Sequence, residues 1–251
     1  MIKLVDLLTE GVHDKGIFKA VFMAGGPGSG KTFVAKNLFG IPDTLNISIT
    51  GMKMINQDKE LKFLLKKYGF DPQFLDKFPD ELFRQLTDPS YEDYSGFRDF
   101  TKQLAQARKE GYMAGKLGMI IDGTGHKYSK IKAEKELLEK EGYDTHMVFV
   151  NTSLEVAQQR NKERDRVLPE KIVKKSWTDT RKNLGPYKAL FKGTIALVDN
   201  SHILGEKEAR HKFGSLVKGY INKWVSSPIK NPIGRKWVED QIKLTKAGVK
   251  K

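Results

Sequence analysis

Val21-Phe-Met-Ala-Gly25-Gly-Pro-Gly-Ser-Gly30-Lys31-Thr32 is an apolar run that breaks into glycines and ends in Gly-Lys-Thr. Gly25, Gly30, Lys31 and Thr32 occupy the defining places of G-x-x-x-x-G-K-[ST], the spacing of a phosphate-binding loop. The spelling has a chemical reason. Gly25, Gly26, Gly28 and Gly30 let consecutive backbone N–H groups, that of Ser29 included, curl around a polyphosphate without Cβ clashes. A helix opening near Gly30 adds its positive end. Lys31 then reaches the β- and γ-phosphates of a nucleoside triphosphate, and the Thr32 hydroxyl ligates Mg2+. The surroundings are those the motif requires: a strand-like run, Phe18 to Met23, before the loop and a helix-like run, Phe33 to Phe39, after it.

Outward from the loop, strand patterns recur at Gly51 to Asn56, Leu117 to Asp122, His146 to Val150 and Thr194 to Val198. Helical patterns separate them. Ile131 to Glu141 ends at Gly142; Thr152-Ser-Leu-Glu155 spells a capping box; Pro169 opens a helix through Val173 and Trp177 that Gly185-Pro186 is expected to stop. Strands alternating with helices predict an α/β fold, a parallel sheet covered by helices on both faces. Ligands of such sheets sit at the carboxyl ends of the strands, where Asp58, Asp122, Asn151 and Asn200 fall.

Residues 59–116 hold no convincing strand and read as a helical insertion. Leu61, Leu64, Leu65 and Tyr68 form one face, Phe74, Leu75, Phe78, Leu82 and Leu86 another helix or two interrupted by Pro79, and Phe97, Phe100, Leu104, Ala107 and Ala114 a long third. The set suits a packing layer or an acceptor-gripping surface, and the link from Asp88 to Gly96 suits a substrate lid. The expected organisation is one nucleotide-binding domain over 1–205, with 59–116 as its acceptor-binding region, and a basic helical C-terminal extension over 206–251. In that extension an amphipathic helix through Phe213, Leu216 and Trp224 breaks at Pro228, and a Pro- and Gly-punctuated turn leads to a shorter basic helix around Trp237, Val238 and Leu244.

Composition narrows the class. The chain has no cysteine, so disulfides and Cys-ligated zinc are excluded, and His13, His126, His146, His202 and His211 are scattered without metal-ligand spacing. No apolar run approaches a membrane span, and the short apolar start with Asp6 does not spell a signal peptide, so a cytoplasmic location is expected. The formal net charge is +14, and residues 201–251 carry 12 Lys and Arg against 4 Asp and Glu. Such a tail suits an anionic partner or a solvated helical surface.

A phosphate loop alone does not separate a kinase from a switch or a motor; phosphoryl transfer also needs a metal, cations around the moving group and a proton acceptor. Asp122 is a candidate for holding Mg2+, or a strand-end acid or cap. Asp58 is a candidate for taking a proton from an acceptor hydroxyl, or a helix cap. Arg160, Arg164 and Arg166 suit a γ-phosphate, or a charged helix face paired with Glu163 and Asp165.

Taken together, the phosphate loop, Ile121-Asp-Gly-Thr124 and the arginine segment resemble the P-loop kinases of the zeta-toxin-like and polynucleotide-kinase-like group, which includes small kinases of tailed phages. The resemblance covers residues 17–201. It implies that Asp58 is the acceptor-activating base, that arginines among Arg160, Arg164 and Arg166 close over the triphosphate, and that Asp122 and Thr124 serve the metal or the acceptor. One departure stands out: many members carry an arginine three residues after the base, where this chain has Leu61, with Lys59 and Lys62 nearby.

The expectation is an ATP- and Mg2+-dependent kinase acting on a hydroxyl of a nucleic acid, nucleoside or nucleotide-sugar, with Asn200 among the nucleotide contacts. The rival expectation, of another class, is an ATPase or switch protein that docks on a partner assembly through its basic tail.

Overall fold

Every residue of β1 (Lys19–Ala24) is buried, as a central strand of a parallel sheet requires. Its side chains alternate between two cores. Val21 and Met23 face α1 (Lys31–Phe39), while Ala20, Phe22 and Ala24 face the opposite layer. In the computed structural model, which describes residues 14–42, 46–87, 96–202 and 221–247 with Val12, Glu208, His211, Phe213, Gly214 and Leu216, the sheet has five strands. The others are β2 (Lys53–Ile55), β3 (Met119–Asp122), β4 (Asp144–Asn151) and β5 (Ile195–Asp199), in the order β2-β3-β1-β4-β5 with every pairing parallel. β1 therefore has β3 and β4 on either side, and the loop leaving its carboxyl end is flanked by the ends of both. This is the P-loop NTPase fold expected from the sequence.

The chain between β2 and β3 is helical: α2 (Gln57–Lys67), a 3-10 turn (Pro72–Lys77), α3 (Asp80–Thr87) and α4 (Gly96–Ala114). Leu61, Leu65, Leu75 and Leu86 form a small core of their own there, ringed by Phe70, Phe78, Leu82, Phe83 and Phe97. Two expected faces need correction. Tyr68 ends α2 exposed rather than joining Leu61 and Leu65. In α4 the packed stripe runs at four-residue spacing through Phe97, Thr101 and Ala105, which leaves Phe100 53% exposed and turns Ala107 and Ala114 to solvent. The buried Thr101 hides that stripe from a hydrophobic pattern. The suggested lid, over residues 88–95, lies outside the described residues, as do residues 1–11.

After β3 come α5 (Tyr128–Lys140), β4, α6 (Leu154–Lys162), α7 (Glu170–Lys182) and α8 (Leu184–Leu190). The cap of α6 is Ser153, whose side chain accepts from Val156 N, and not Thr152. Gly185-Pro186 does not stop a helix; it lies in the first turn of α8, where a missing N–H forfeits no intrahelical bond.

The C-terminal chain is packed into the cores. Phe213, Ile221 and Val225 join the α1 side, with α9 (Asn222–Val225) among them, and Trp237 and Val238 of α10 (Pro232–Lys246) join the other. The expected shorter helix is thus 15 residues long: Pro232 opens it under an Asn231 cap, and Gly234 lies inside it. α10 docks at the amino ends of the strands, opposite the phosphate loop. Phe18 meets Tyr143 and Trp237 edge-on, and Asn231 Nδ2 donates to Glu139 O at 2.7 Å.

An ion pair anchors this edge. Lys19, 1% exposed, donates to Asp144 Oδ2 at 2.8 Å, and the Asp144 carboxylate also accepts from the backbone N–H groups of Lys230 and Asn231. Removing one partner strands the other charge in the interior. We expect Asp144→Ala to lower the free energy of urea unfolding by about 3–5 kcal/mol, with Lys19→Met/Asp144→Asn recovering part of the loss; a change below about 1 kcal/mol would rule out a buried unpaired lysine.

Candidate functional site

The phosphate loop is shaped by contacts that only glycine allows. At Gly28 (φ 75°) a Cβ would come within 2.0 Å of the Ala157 carbonyl of α6; at Gly30 (φ 80°), the left-handed residue opening α1, it would meet Asn200 Nδ2 at 2.4 Å. Neighbouring elements hold the loop in place. Asn200 donates to Ser29 O at 2.8 Å, Gly25 N donates to Thr124 O at 3.1 Å, and the backbone of Trp177 in α7 lies against Gly26. Asn200, 2% exposed, thus touches the loop itself, and Thr152 Oγ1 donates to its carbonyl at 3.2 Å.

The glycine turn after β3 runs beside the loop. It is fastened by α7 and α8: Thr180 Oγ1 donates to Thr124 O (3.0 Å), Asn183 Nδ2 to Gly125 O (3.0 Å) and His126 O (2.9 Å), and Tyr187 OH to Gly125 O (2.8 Å). Thr124 Oγ1 shares a hydrogen bond with His126 Nδ1. None of these fastening residues was legible as such, because helices α7 and α8 are spelled for packing and their polar contacts are distant in sequence.

Charge converges at the mouth of the loop. Lys31 Nζ donates to Gly25 O at 2.7 Å and Gly26 O at 3.2 Å. Burial lowers its pKa; Asp122 is the charge that opposes this most, helped by Asp58, while Arg164 and Arg166 push the same way as burial. Lys31, Asp58, Asp122, Arg164 and Arg166 therefore lie in one electrostatic cluster on the rim formed by the strand ends.

Arg166 Nη2 lies 2.9 Å from Asp58 Oδ1, and Arg164 Nη2 lies 3.7 Å from Asp58 Oδ2. Arg160 faces elsewhere. Its guanidinium donates to Asn200 O (2.8 Å) and His202 O (2.9 Å), tying α6 to the chain beyond β5. Asn151 ends β4 and accepts, through its carbonyl, from Asn200 N. At the position of the departure, Leu61 is fully buried in the helical core, so a cation there would lose its hydration; Lys62 instead pairs with Asp165.

Asn56 was not anticipated. It caps α2, its Oδ1 accepting from Asp58 N at 2.7 Å, while its Nδ2 donates to Asp122 Oδ2 at 2.8 Å. Asp58 is consequently not the helix cap, and its carboxylate is available to the arginines. The available signal was Asn56 itself, a strong cap residue directly after a strand.

Burial, reinforced by Asp58, pushes the Asp122 pKa up to about 6 against the pull of Lys31 and Arg164. Because this lies above the usual carboxylate value of 3.8, the contribution of Asp122 to stability falls as pH rises from about 4 to about 6 and is least favourable above that window. Asp122→Asn should therefore stabilise the metal- and nucleotide-free protein at pH 7.5 by on the order of 1–3 kcal/mol, a gain that shrinks toward zero near pH 4. Unfolding titrations at a series of pH values read this directly; a pH-independent gain would contradict it.

Among the described residues, no three His, Asp or Glu side chains form a ready metal cage. Mg2+ on a nucleotide needs none, since it keeps waters and phosphate oxygens and takes only one or two protein ligands. The residues present fit that demand. Asp122 Oδ1 is buried without a hydrogen-bond donor, and Thr32 stands exposed in the first turn of α1.

A family model described as an AAA domain matches residues 21–186. A search of curated proteins gives no significant sequence match. Solved structures are similar at low identity. They include one from the PezAT chromosomal toxin-antitoxin system of Streptococcus pneumoniae (17% identity, TM-score 0.46, covering 95% of this chain and 93% of that one). A gluconokinase from Sinorhizobium meliloti follows (15%, 0.43, 82% and 97%), and a shikimate kinase from Acinetobacter baumannii (14%, 0.42, 85% and 98%). No helix among the described residues is long and apolar enough to cross a membrane.

Proposed function

The chain belongs to the AAA domain family, and on that premise we propose that it is an ATP- and Mg2+-dependent kinase that moves the γ-phosphoryl group to a hydroxyl of a bound acceptor. The observation that carries this reading is the cluster of Lys31, Asp58, Asp122, Arg164 and Arg166 at the mouth of the phosphate loop. A loop that only bound nucleotide would need no second, solvent-accessible acid beside paired arginines.

In this reading the loop amides and Lys31 hold the β- and γ-phosphates. Thr32 and Asp122 would hold Mg2+, which supplies charge neutralisation on the phosphates when bound. Asp58 orients the acceptor hydroxyl and takes its proton as the oxygen bonds to the γ-phosphorus and the bond to ADP breaks. Arg164 and Arg166, already on the Asp58 side of the cluster, face the transferring group; Arg160 and Asn200 support the loop and the nucleotide from behind.

Charge placement bears on the acceptor. Residues 59–116 carry 11 Lys and Arg against 10 Asp and Glu, while the exposed cations of α10, Arg235, Lys236, Lys243 and Lys246, lie past the strand amino ends, away from the loop. A nearly neutral acceptor region favours a small hydroxyl compound, such as a nucleoside or nucleotide-sugar, over a long nucleic-acid strand gripped by its phosphates. The rival reading, an ATPase or switch that docks through its tail, draws on the exposed Arg235, Lys236, Lys243 and Lys246 of α10 at that far edge. Product stoichiometry separates the two. The kinase reading predicts that ADP release is stimulated by an acceptor and matched one-for-one by a phosphorylated product; ADP matched by inorganic phosphate, whatever hydroxyl compound is added, favours the rival.

A further inference from the structure

We propose that Asn56 is a positioning residue for this site, setting the spacing between Asp122 and Asp58 through the two ends of one side-chain amide. The inference rests on the phosphotransfer reading above and adds to it a residue that touches neither phosphate nor acceptor.

The geometry leaves the amide one orientation. Its oxygen accepts from Asp58 N at 2.7 Å and its nitrogen donates to the Asp122 carboxylate at 2.8 Å. Reversing it would set an N–H group against an N–H group and an oxygen against a carboxylate. The two contacts join elements 66 residues apart: the end of β3 and the first turn of α2.

The need for such a tie follows from the sheet. β2 is an edge strand of three residues, Lys53–Ile55, whose one strand neighbour in the sheet is β3, with an isolated bridge from Lys53 to Ile47 on its other side, and its ladder with β3 stops at Ile55↔Ile121. One residue later the chain turns into α2, and the Asn56–Asp122 contact carries the link to β3 one residue past the end of the ladder. Several residues cap a helix; Ser, Thr and Asp would all accept from Asp58 N. Of the strong caps, asparagine is the one that also presents a donor on a planar amide long enough to reach Asp122, whereas Asp would oppose one carboxylate to another. Helix start and strand end are thereby fixed by the same group, and with them the proton acceptor and the acid that would hold the metal.

Two substitutions separate positioning from capping. Asn56→Ser keeps an acceptor for Asp58 N and removes the amide donor; Asn56→Asp keeps a strong cap and turns the second contact repulsive. Both are expected to lower kcat about 10- to 100-fold, with Asn56→Asp at least as impaired. The KM for the acceptor and the Kd for ATP by calorimetry should stay within about twofold, since the loop contacts are untouched.

A second readout needs no turnover. In unfolding of the metal-free protein, Asn56→Ser and Asp122→Ala should be less than additive, because either one breaks the same bond. Wild-type kcat in both Asn56 variants overturns the proposal. So does a loss confined to the unfolding midpoint with kcat of the folded protein unchanged, which would make Asn56 a cap only. If the wild-type protein phosphorylates no acceptor, the phosphotransfer reading fails by itself, and additivity in the Asn56–Asp122 cycle is then the result that overturns the positioning role.

Discussion

Asp58→Asn is expected to leave ATP binding within about twofold of wild type while transfer to an acceptor falls by about 10²–10⁴. The reasoning is local. Asp58 stands in the first turn of α2 with its side chain 42% exposed, so it can meet an incoming hydroxyl. The helix does not depend on it, because Asn56 is the cap. Asparagine fills the same volume but cannot accept a proton from an attacking hydroxyl. It also weakens the hold on Arg166 and Arg164, which leaves both cations near the triphosphate and removes any reason for ATP affinity to fall. Titration calorimetry with ATP, set beside initial rates of product formation, measures the two quantities separately. Unchanged transfer in this variant would remove Asp58 as the proton acceptor.

Lys31→Ala is expected to reduce turnover by at least about 10³, the scale seen when a donor aimed at developing negative charge is deleted. Lys31 is the cation closest in influence to Asp122 and the one supplied by the loop itself. Lys31→Arg should rescue little, since a planar guanidinium does not replace a compact ammonium between the Gly25 and Gly26 carbonyls and the phosphates. Folding should survive the alanine change. The carbonyls of Gly25 and Gly26 lose a donor, but the chain is relieved of a cation whose pKa burial already lowers. A variant that unfolds at the wild-type denaturant concentration yet turns over at more than a tenth of the wild-type rate would contradict the assignment.

The fold was readable because its decisive elements obey simple periodicities. β1 and β4 are continuous apolar runs that could only be buried strands, and the glycine spelling between β1 and α1 has one conformational use. Asp122 was readable for the same reason, since it follows an apolar run directly, whereas Asp58 stands three residues past Ile55 in the first turn of α2. What escaped was set by contacts between distant segments. Asn56 and Asp58 are equally good caps by type, and the choice between them falls to Asp122, 66 residues from Asn56, which accepts from the amide. Arg160, Arg164 and Arg166 look equivalent along the chain, yet Arg160 is drawn to the carbonyls of Asn200 and His202 while the other two reach Asp58. The tail read as an appendage because its lysines dominate its composition. Its apolar residues were legible as faces of helices, but spacing along a helix does not say what a face covers, and Phe213, Ile221, Val225 and Trp237 close both cores.

Transfer of label from γ-labelled ATP to nucleosides, nucleotide-sugars and hydroxyl-terminated DNA and RNA tests the central claim most directly, with wild type and Asp58→Asn compared at equal ATP occupancy. The account predicts label in an acceptor with the wild-type protein and none with Asp58→Asn. Label recovered only as inorganic phosphate, at the same rate from both proteins, would contradict it.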